Sequence, residues 1–210
     1  MFSQKAIVLL QDLIQLQSFS GEEEQTAERI AAWFSTHDID FHRKDNNLWA
    51  TNQYYDPQKP TLLLNSHHDT VKPNQGYTRD PFEPTIEEGK LFGLGSNDAG
   101  GALVALIATF THFYKQKDLA YNLLLVTSAE EENAGPKSLR HLLPVLPKID
   151  FALVGEPTLM DLAIAEKGLV VFDLILKGTP SHAAHPNADN PLMKLPQLIQ
   201  AIDSLRFEKV

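Results

Sequence analysis

The stretch TLLLNSHHDT, residues Thr61–Thr70, is an apolar run that stops at two histidines and an aspartate. It predicts a buried strand whose end delivers polar side chains to a site. Side chains at i and i+2 of a strand share a face, so His67 and Asp69 point one way while His68 points the other. A carboxylate that accepts the second ring N–H of a ligating histidine fixes its tautomer. The stretch favours a metal-bound His67 next to Asp69; the alternative is a polar strand end that meets solvent.

The composition limits the classes of protein that this chain can belong to. Its 210 residues, 43% of them hydrophobic, can hold one large domain or one and a fraction. The 27 acidic and 18 basic residues give a net charge of -9, which argues against binding to nucleic acid or to an anionic membrane. The absence of cysteine excludes disulfides, thiolate metal sites and a catalytic thiol. With no apolar stretch near the ~20 residues of a membrane span, a soluble, cytoplasmic protein is expected.

Two helices and a hairpin are predicted before the central strand. Ser20 and Glu23 have the spacing of a capping box for the second helix, which makes the acidic residues there structural. Two short runs on either side of Asp45-Asn46-Asn47 predict a β-hairpin. The first helix is indicated by apolar residues three and four apart, namely Ile7, Leu10, Leu13, Ile14 and Leu16.

A glycine-rich segment, residues 93–101, surrounds Asp98 and precedes an apolar helix. A dinucleotide-binding fingerprint would need glycine in place of Asp98, and a P-loop would need lysine in place of Gly101, so both nucleotide motifs are rejected. Asp98 fits either a plain N-cap aspartate or a metal-bridging carboxylate.

Two further buried strands also end in carboxylates. Tyr121–Thr127 runs into Glu130, Glu131 and Glu132, and Phe151–Val154 runs into Glu156. Each cluster alone can also be explained without a functional site. In α/β sheets, however, ligands bind beyond the carboxyl ends of the strands. One imidazole with several carboxylates and no sulfur suits zinc, cobalt or manganese, as one ion or as a pair.

The sequence pattern after Glu156 differs from that of the preceding segments. Leu162–Lys177 predicts a long strand, and a final helix is expected from about Asn190 to Leu205. A domain boundary is predicted near Lys167-Gly168, giving domains at 1–167 and 168–210.

Taken together, the motifs resemble the acetylornithine deacetylase, succinyl-diaminopimelate desuccinylase and aminoacylase family of dinuclear zinc hydrolases. Within that family the chain looks most similar to the acetyl- or succinylornithine deacetylases of Bacteroidetes-type bacteria. The resemblance covers essentially the whole chain and rests on five motifs in the family's order: NSHHDTV at 65–71, GLGSND at 93–98, SAEE at 128–131, VGEPT at 154–158 and GTPSH at 178–182.

The resemblance implies a role for each matching position. His67 and Glu156 would bind one zinc and Glu131 the other, with Asp98 bridging the two. Asp69 would orient His67, and Glu130 would be the general base that takes a proton from the attacking water and passes it to the leaving amine. His182 would reach across a homodimer to the partner's active site and stabilise the oxyanion. His68 occupies a variable position and receives no role.

The resemblance also implies a fold and some departures from it. The expected fold is a mixed, largely parallel sheet with helices on both faces, followed by the first strand and helix of an α/β lid domain. The family's second zinc has a further histidine, and its lid has an arginine, both later than Val210, so the chain is expected to be the N-terminal part of a longer enzyme. Alone it should bind at most one metal tightly and show little turnover. Ala129 replaces a frequent aspartate and Glu132 is extra, which leaves the roles of Glu130 and Glu131 ambiguous by one residue.

The function expected from these residues is metal-dependent hydrolysis of the amide bond of an N-acyl amino acid. N-acetylornithine or N-succinylornithine, in arginine biosynthesis, is the expected substrate. An aminoacylase or dipeptidase is the alternative within the family. A metal-binding or assembly module without catalysis is the alternative outside it.

Overall fold

The structure is a computed structural model, and it describes residues 2–165, 168 and 171–206. The chain divides into two compact units, Met1–Leu162 and Ala163–Val210. Of the predicted boundary pair, Lys167 lies outside the described residues.

A five-stranded mixed sheet forms the centre of the first unit. Its strands are β1 (His42–Lys44), β2 (Asn47–Thr51), β3 (Thr61–His67), β6 (Asn122–Ser128) and β7 (Phe151–Val154), in the order β1-β2-β6-β3-β7. β3 pairs in parallel with β6 and β7, whereas β2 is antiparallel to both β1 and β6. The predicted hairpin and the mixed sheet are confirmed, and the three parallel strands end at the same edge. The prediction that Phe151–Val154 is buried is wrong: β7 is an edge strand and its residues are exposed.

Three helices cover one face of this sheet. They are α1 (Phe2–Gln15), α2 (Glu24–Thr36) and α3 (Gly101–Phe113). Leu64 and Leu125 from the sheet join Ile107 and Phe110 of α3 in the larger hydrophobic core. Alternate positions on the same strands face the other way, because strand side chains alternate between faces. Burial of these apolar residues fixes which face of β3 and β6 each polar side chain occupies.

The second face of the sheet has a smaller core. Leu63, Leu124 and Val126 pack there with Leu142 of α4 (Leu139–Leu142). The helix α4 is short, because it is followed by a 3₁₀ turn, Leu143–Val145, that contains Pro144. Proline lacks the N–H that a continuing α-helix requires. Helices therefore lie on both faces, as expected.

The segment between Thr70 and the glycine-rich segment contains a hairpin that the sequence analysis did not predict. β4 (Thr85–Glu87) pairs antiparallel with β5 (Lys90–Phe92). The two residues between them, Glu88 and Gly89, both have positive φ, 50° and 75°. A two-residue hairpin turn of this kind matches the twist of its strands, but Glu88 is not a residue that signals it.

The second unit differs from its prediction in one element. The long strand expected at Leu162–Lys177 is not formed by residues 162–165, 168 and 171–177, whereas the other four positions lie outside the described residues. A strand is stabilised by a neighbouring backbone ladder, and no described residue of this unit provides one. The final helix is confirmed as α5 (Pro191–Asp203), where Asn190 caps the helix by accepting from the Leu192 N–H.

The described helices include none that is both long enough and apolar enough to span a membrane.

Candidate active site

The carboxyl edge of the parallel strands gathers most of the predicted site residues. β3 ends at His67, which pairs in register with Ser128, the last residue of β6. β7 ends one residue before the Gly155 that leads to Glu156. Parallel strands run in the same direction, so the segments that follow β3, β6 and β7 leave the sheet side by side. Sequence positions 67, 131–132 and 156 are thereby brought together.

His67 is the centre of the cluster and is almost completely buried, at 1% exposure. Its Nδ1–H donates to the backbone carbonyl of Asp69 at 2.9 Å and lies 3.3 Å from the Asp69 carboxylate. Because a carbonyl can only accept, the proton of a neutral His67 sits on Nδ1. Nε2 is then left as the ligand atom, directed towards the acidic residues.

Asp98 approaches Nε2 of His67 from the segment before α3. Its Oδ1 lies 3.3 Å from Nε2. The N-cap position of α3 is occupied by Gly100, without a side-chain cap, so the interpretation of Asp98 as a plain helix cap is wrong. The Asp98 side chain is 57% exposed, which leaves its second oxygen accessible to an ion or ligand. The peptide bond from Asp98 to Ala99 is cis.

Glu132 completes a group of side chains that could hold a metal. Three ligand atoms lie within 4.8 Å of one another, one each from His67, Asp98 and Glu132. The 3.3 Å between His67 Nε2 and Asp98 Oδ1 is a separation that two ligands about 2.0–2.2 Å from one zinc ion can have. Glu131 Oε2 is 3.9 Å from His67 Nε2, so a further carboxylate borders the same space.

Two acidic residues of the site, Glu132 and Glu156, have raised pKa values. Burial raises the pKa of Glu132, and the charges of Asp98, Asp69 and Glu131 raise it further against the effect of His67. Burial also raises the pKa of Glu156, where His67 opposes the shift and the neighbouring carboxylates add to it. Carboxylates crowded in this way are relieved by a cation among them. The donor set of one imidazole nitrogen and several carboxylate oxygens fits zinc, cobalt or manganese.

Glu130, in contrast, has its carboxylate committed elsewhere. Its Oε2 accepts from the backbone N–H of Lys137 at 2.9 Å, and the residue is only 8% exposed. The loop turns sharply at Glu130, whose φ of 53° is in the left-handed region. Glu131 and Glu132 therefore project towards His67, one residue later than the assignment from the sequence. No spacing rule for strands describes this turn, so the one-residue ambiguity noted from the extra Glu132 could not be resolved from the sequence.

Asp69 contacts both His67 and this acidic loop. Burial alone would raise its pKa, but hydrogen bonds from His67, Ser20 and the amides of Glu131 and Glu132 lower the pKa to about 2. Ser20 Oγ donates to its Oδ2 at 2.7 Å. The predicted capping box is therefore wrong: the N-cap of α2 is Glu23, without a side-chain cap bond.

Two buried residues that received no functional or site role in the sequence prediction also adjoin the site. Glu23 is fully buried and accepts a hydrogen bond from the Glu130 amide. His68 is buried on the opposite face of β3, where Nε2 donates to the carbonyl of Asn46 and Nδ1 contacts Thr26 Oγ1. Their partners lie far away in sequence, so no local signal could have found them.

His182 belongs to the second unit. It is exposed, its Nδ1 accepts from the Ala184 N–H at 3.2 Å, and its ring centroid lies 5.6 Å from that of His185. These contacts are local, and the role predicted for His182 stays a prediction.

Sheet and cluster together define an α/β protein with a candidate metal centre at the carboxyl edge of its parallel strands. The chain belongs to peptidase family M20/M25/M40, whose family model matches residues 63–205.

Curated relatives agree with this assignment. The chain is 32% identical over 221 residues to a succinyl-diaminopimelate desuccinylase of Wolbachia pipientis wMel, covering 96% of this chain and 54% of the relative. A desuccinylase from the Wolbachia strain wPip is also 32% identical, with the same coverage. The chain thus spans about half the length of the curated relatives it matches.

Structural similarity supports the fold. A metallo-carboxypeptidase of the M20 family from Sulfolobus solfataricus superposes with a TM-score of 0.59 at 21% identity, over 71% of this chain and 37% of the other. Human carnosine dipeptidase 1 superposes with a TM-score of 0.55, also at 21% identity, over 73% of this chain and 38% of the other.

Proposed function

We propose that the protein acts as a metal-dependent hydrolase that cleaves the amide bond of an N-acyl amino acid. The observation that carries the proposal is the convergence of His67, Asp98 and Glu132 on one space, with Glu131 beside it. Membership of the family and the hydrolase names of the relatives support the same reaction class. A divalent metal held here would polarise the amide carbonyl and lower the pKa of the attacking water.

The ligand and base roles that fit the geometry differ by one residue from those of the sequence prediction. We assign His67, Asp98, Glu132 and Glu156 as residues that hold metal, and Glu131 as the general base in place of Glu130. Glu131 borders His67 at 3.9 Å without belonging to the group of three ligand atoms, and its side chain is 55% exposed, so a water molecule could reach it. It would take a proton from the attacking water and deliver it to the leaving amine nitrogen. Asp69 holds the Nδ1 proton of His67 and so keeps Nε2 available.

Matched glutamine variants of the three adjacent glutamates test this register. Glu132→Gln should lose metal, Glu131→Gln should retain metal but lose turnover, and Glu130→Gln should retain metal, since its amide oxygen can still accept from Lys137. Metal content after dialysis, measured by elemental analysis, decides between the ligand roles independently of turnover. Metal loss in Glu131→Gln with retention in Glu132→Gln would restore the earlier assignment.

The acyl group and the amino acid are a finer part of the proposal. The sequence resemblance points to N-acetylornithine or N-succinylornithine and to arginine biosynthesis, whereas the relatives are named for succinyl-diaminopimelate. A panel of these three substrates, together with dipeptides and simple N-acetyl amino acids, separates a deacylase from an aminoacylase or dipeptidase. Tight metal binding without turnover on any of them would favour the non-catalytic alternative.

The zinc pair, the homodimer and the trans role of His182 remain proposals that rest on the resemblance. Mixing inactive His182→Ala subunits with subunits inactivated at the general base should restore part of the activity if His182 serves the partner's site. No recovery after demonstrated subunit exchange would remove that role.

A further inference from the structure

Four consecutive backbone amides, here called the amide row, run from Ala129 to Glu132 at the end of β6. Each donates to a side-chain oxygen from a distant part of the chain. Ala129 donates to Asn47 Oδ1 at 3.0 Å and Glu130 to Glu23 Oε1 at 3.1 Å. Glu131 and Glu132 donate to the two oxygens of Asp69, both at 3.1 Å. The loop that carries the acidic side chains is thus fixed by side chains from other segments of the chain.

The row needs such partners because the chain turns there. β6 ends at Ser128, so the amides beyond it have left the sheet ladder. Glu130 adopts a φ of 53°, a conformation that costs non-glycine residues energy and persists when surrounding contacts enforce it. Its amide, the one at the turn itself, depends on Glu23.

Glu23 is the least expected member of this arrangement. It is a fully buried carboxylate whose bonds come from neutral donors. Oε1 accepts from the Gly21 N–H at 2.6 Å as well as from Glu130, and Oε2 accepts from Asn46 Nδ2 at 2.9 Å. One side chain therefore joins the start of α2, the β1–β2 turn and the acidic loop. A buried carboxylate is retained where such bonds and a helix N-terminus compensate its desolvation.

His68 reinforces the same connection from the other side. Its Nε2 donates to the carbonyl of Asn46 at 2.9 Å, and its Nδ1 lies 2.9 Å from the hydroxyl of Thr26, in the first turn of α2. Asn46 is consequently fixed through both its backbone and its side chain, and it presents its amide group to Glu23.

We propose that Glu23 is a positioning residue for the site: by fixing the Glu130 amide it sets the turn that directs Glu131 and Glu132 towards His67. The inference rests on the proposed function for its consequence, metal binding, but its structural part is independent of that function. Partners that orient the ligands of a metal affect its affinity by about 10–100-fold when removed.

The triplet Glu22-Glu23-Glu24 provides a matched control. Glu23→Gln keeps the shape and one acceptor oxygen, but its amide nitrogen meets the Asn46 donor and the charge-assisted bonds are lost. Glu24→Gln removes the same charge one residue later, at an exposed position in the first turn of α2. Glu23→Ala would leave several buried donors unpaired, so the glutamine variant is the one that should remain folded.

Hydrogen exchange of single amides, followed by NMR on the metal-free chain, tests the structural part. In Glu23→Gln the Glu130, Glu131 and Glu132 amides should exchange roughly tenfold faster, while the Val126 amide inside β6 stays unchanged. Glu24→Gln should match the parent at all four positions. Equal exchange in the two variants, or acceleration spread evenly through β6, would overturn the positioning role.

Metal titration of the same proteins tests the consequence. With Zn²⁺ competed against a chelator, Glu23→Gln should bind about tenfold more weakly than the parent, and Glu24→Gln should bind as the parent does. Faster exchange with unaltered metal affinity would refute the link between the turn and the site. A parent chain that binds no metal would instead refute the proposed function, and the exchange data would still decide whether Glu23 fixes the turn.

Discussion

In the metal-free protein, His67 should keep its second proton far above the pH at which histidine normally loses it. Burial alone would lower the pKa of His67. The hydrogen bond and charge of Asp69, with the charges of Glu156 and Glu131, outweigh burial and raise the pKa from 6.5 to about 9. The neighbouring His68 is buried without comparable compensation, and burial lowers its pKa. The pKa values of these two adjacent histidines should therefore be shifted in opposite directions.

The raised pKa of His67 makes stability depend on pH in a defined window. A group whose pKa is higher in the folded state stabilises the fold fully below its unfolded pKa, and this stabilisation is lost as pH rises through the folded pKa. A shift from 6.5 to about 9 corresponds to about 3 kcal/mol. Asp69 has a pKa lowered to about 2, so it stays ionised throughout this window. The free energy of its contact with His67 is already included in the shift of the His67 pKa and is not added a second time.

Asp69→Asn is the informative perturbation, because asparagine keeps the size of the side chain and removes the charge. The free energy of unfolding of the chelator-treated parent, measured in urea at pH 6.5 and pH 9, should fall by up to about 3 kcal/mol, and the fall should be much smaller in the variant. NMR titration of the ring nitrogens should place the His67 pKa near 9 in the parent. A His67 pKa near 6.5, or equal pH dependence in parent and variant, would refute the reasoning.

Two further predictions concern the packing that supports the site. Asn47→Ala should lower the free energy of unfolding, measured in urea, by about 1–3 kcal/mol, because the buried Ala129 amide and the Lys137 carbonyl lose their partner. The control variant Asn74→Ala should show no comparable loss, since the Asn74 side chain accepts from the nearby Gly76 amide at the surface. Gly100→Ala should be destabilising by about 1–3 kcal/mol, since an added Cβ would stand 2.5 Å from the Gly95 carbonyl oxygen and 2.6 Å from Leu10 Cδ1. Gly101→Ala, where the nearest atom is 3.1 Å away, should cost less in the same thermal or urea assay, and equal losses would contradict the steric explanation.

Much of the site could be predicted because its signals are local. An apolar run that stops at His67, another that stops before three glutamates and a glycine-rich segment around Asp98 each show where a strand or helix meets a polar edge. Parallel pairing of β3 with β6 and β7 then follows from the α/β pattern, and it brings these ends together. Period-two alternation also separated His67 from His68 correctly, because His67 ends β3 and His68 directly follows it, with its N–H still bonded to the Ser128 carbonyl of β6.

What only the tertiary structure decided lies where the backbone leaves regular elements. Glu130 and Glu131 could not be assigned by periodicity, since the turn at Glu130 resets which side chain faces the site. Ser20 and Glu23 have the spacing of a local capping pair, yet they bond to Asp69 and Glu130, which are 49 and 107 positions away. Sequence patterns report the local periodicity of burial, whereas a buried polar group takes whichever partner the folded chain brings within hydrogen-bond distance. Which glutamates lie beside His67, and the bond from the Glu130 amide to the buried Glu23, therefore became visible only when distant segments were packed together.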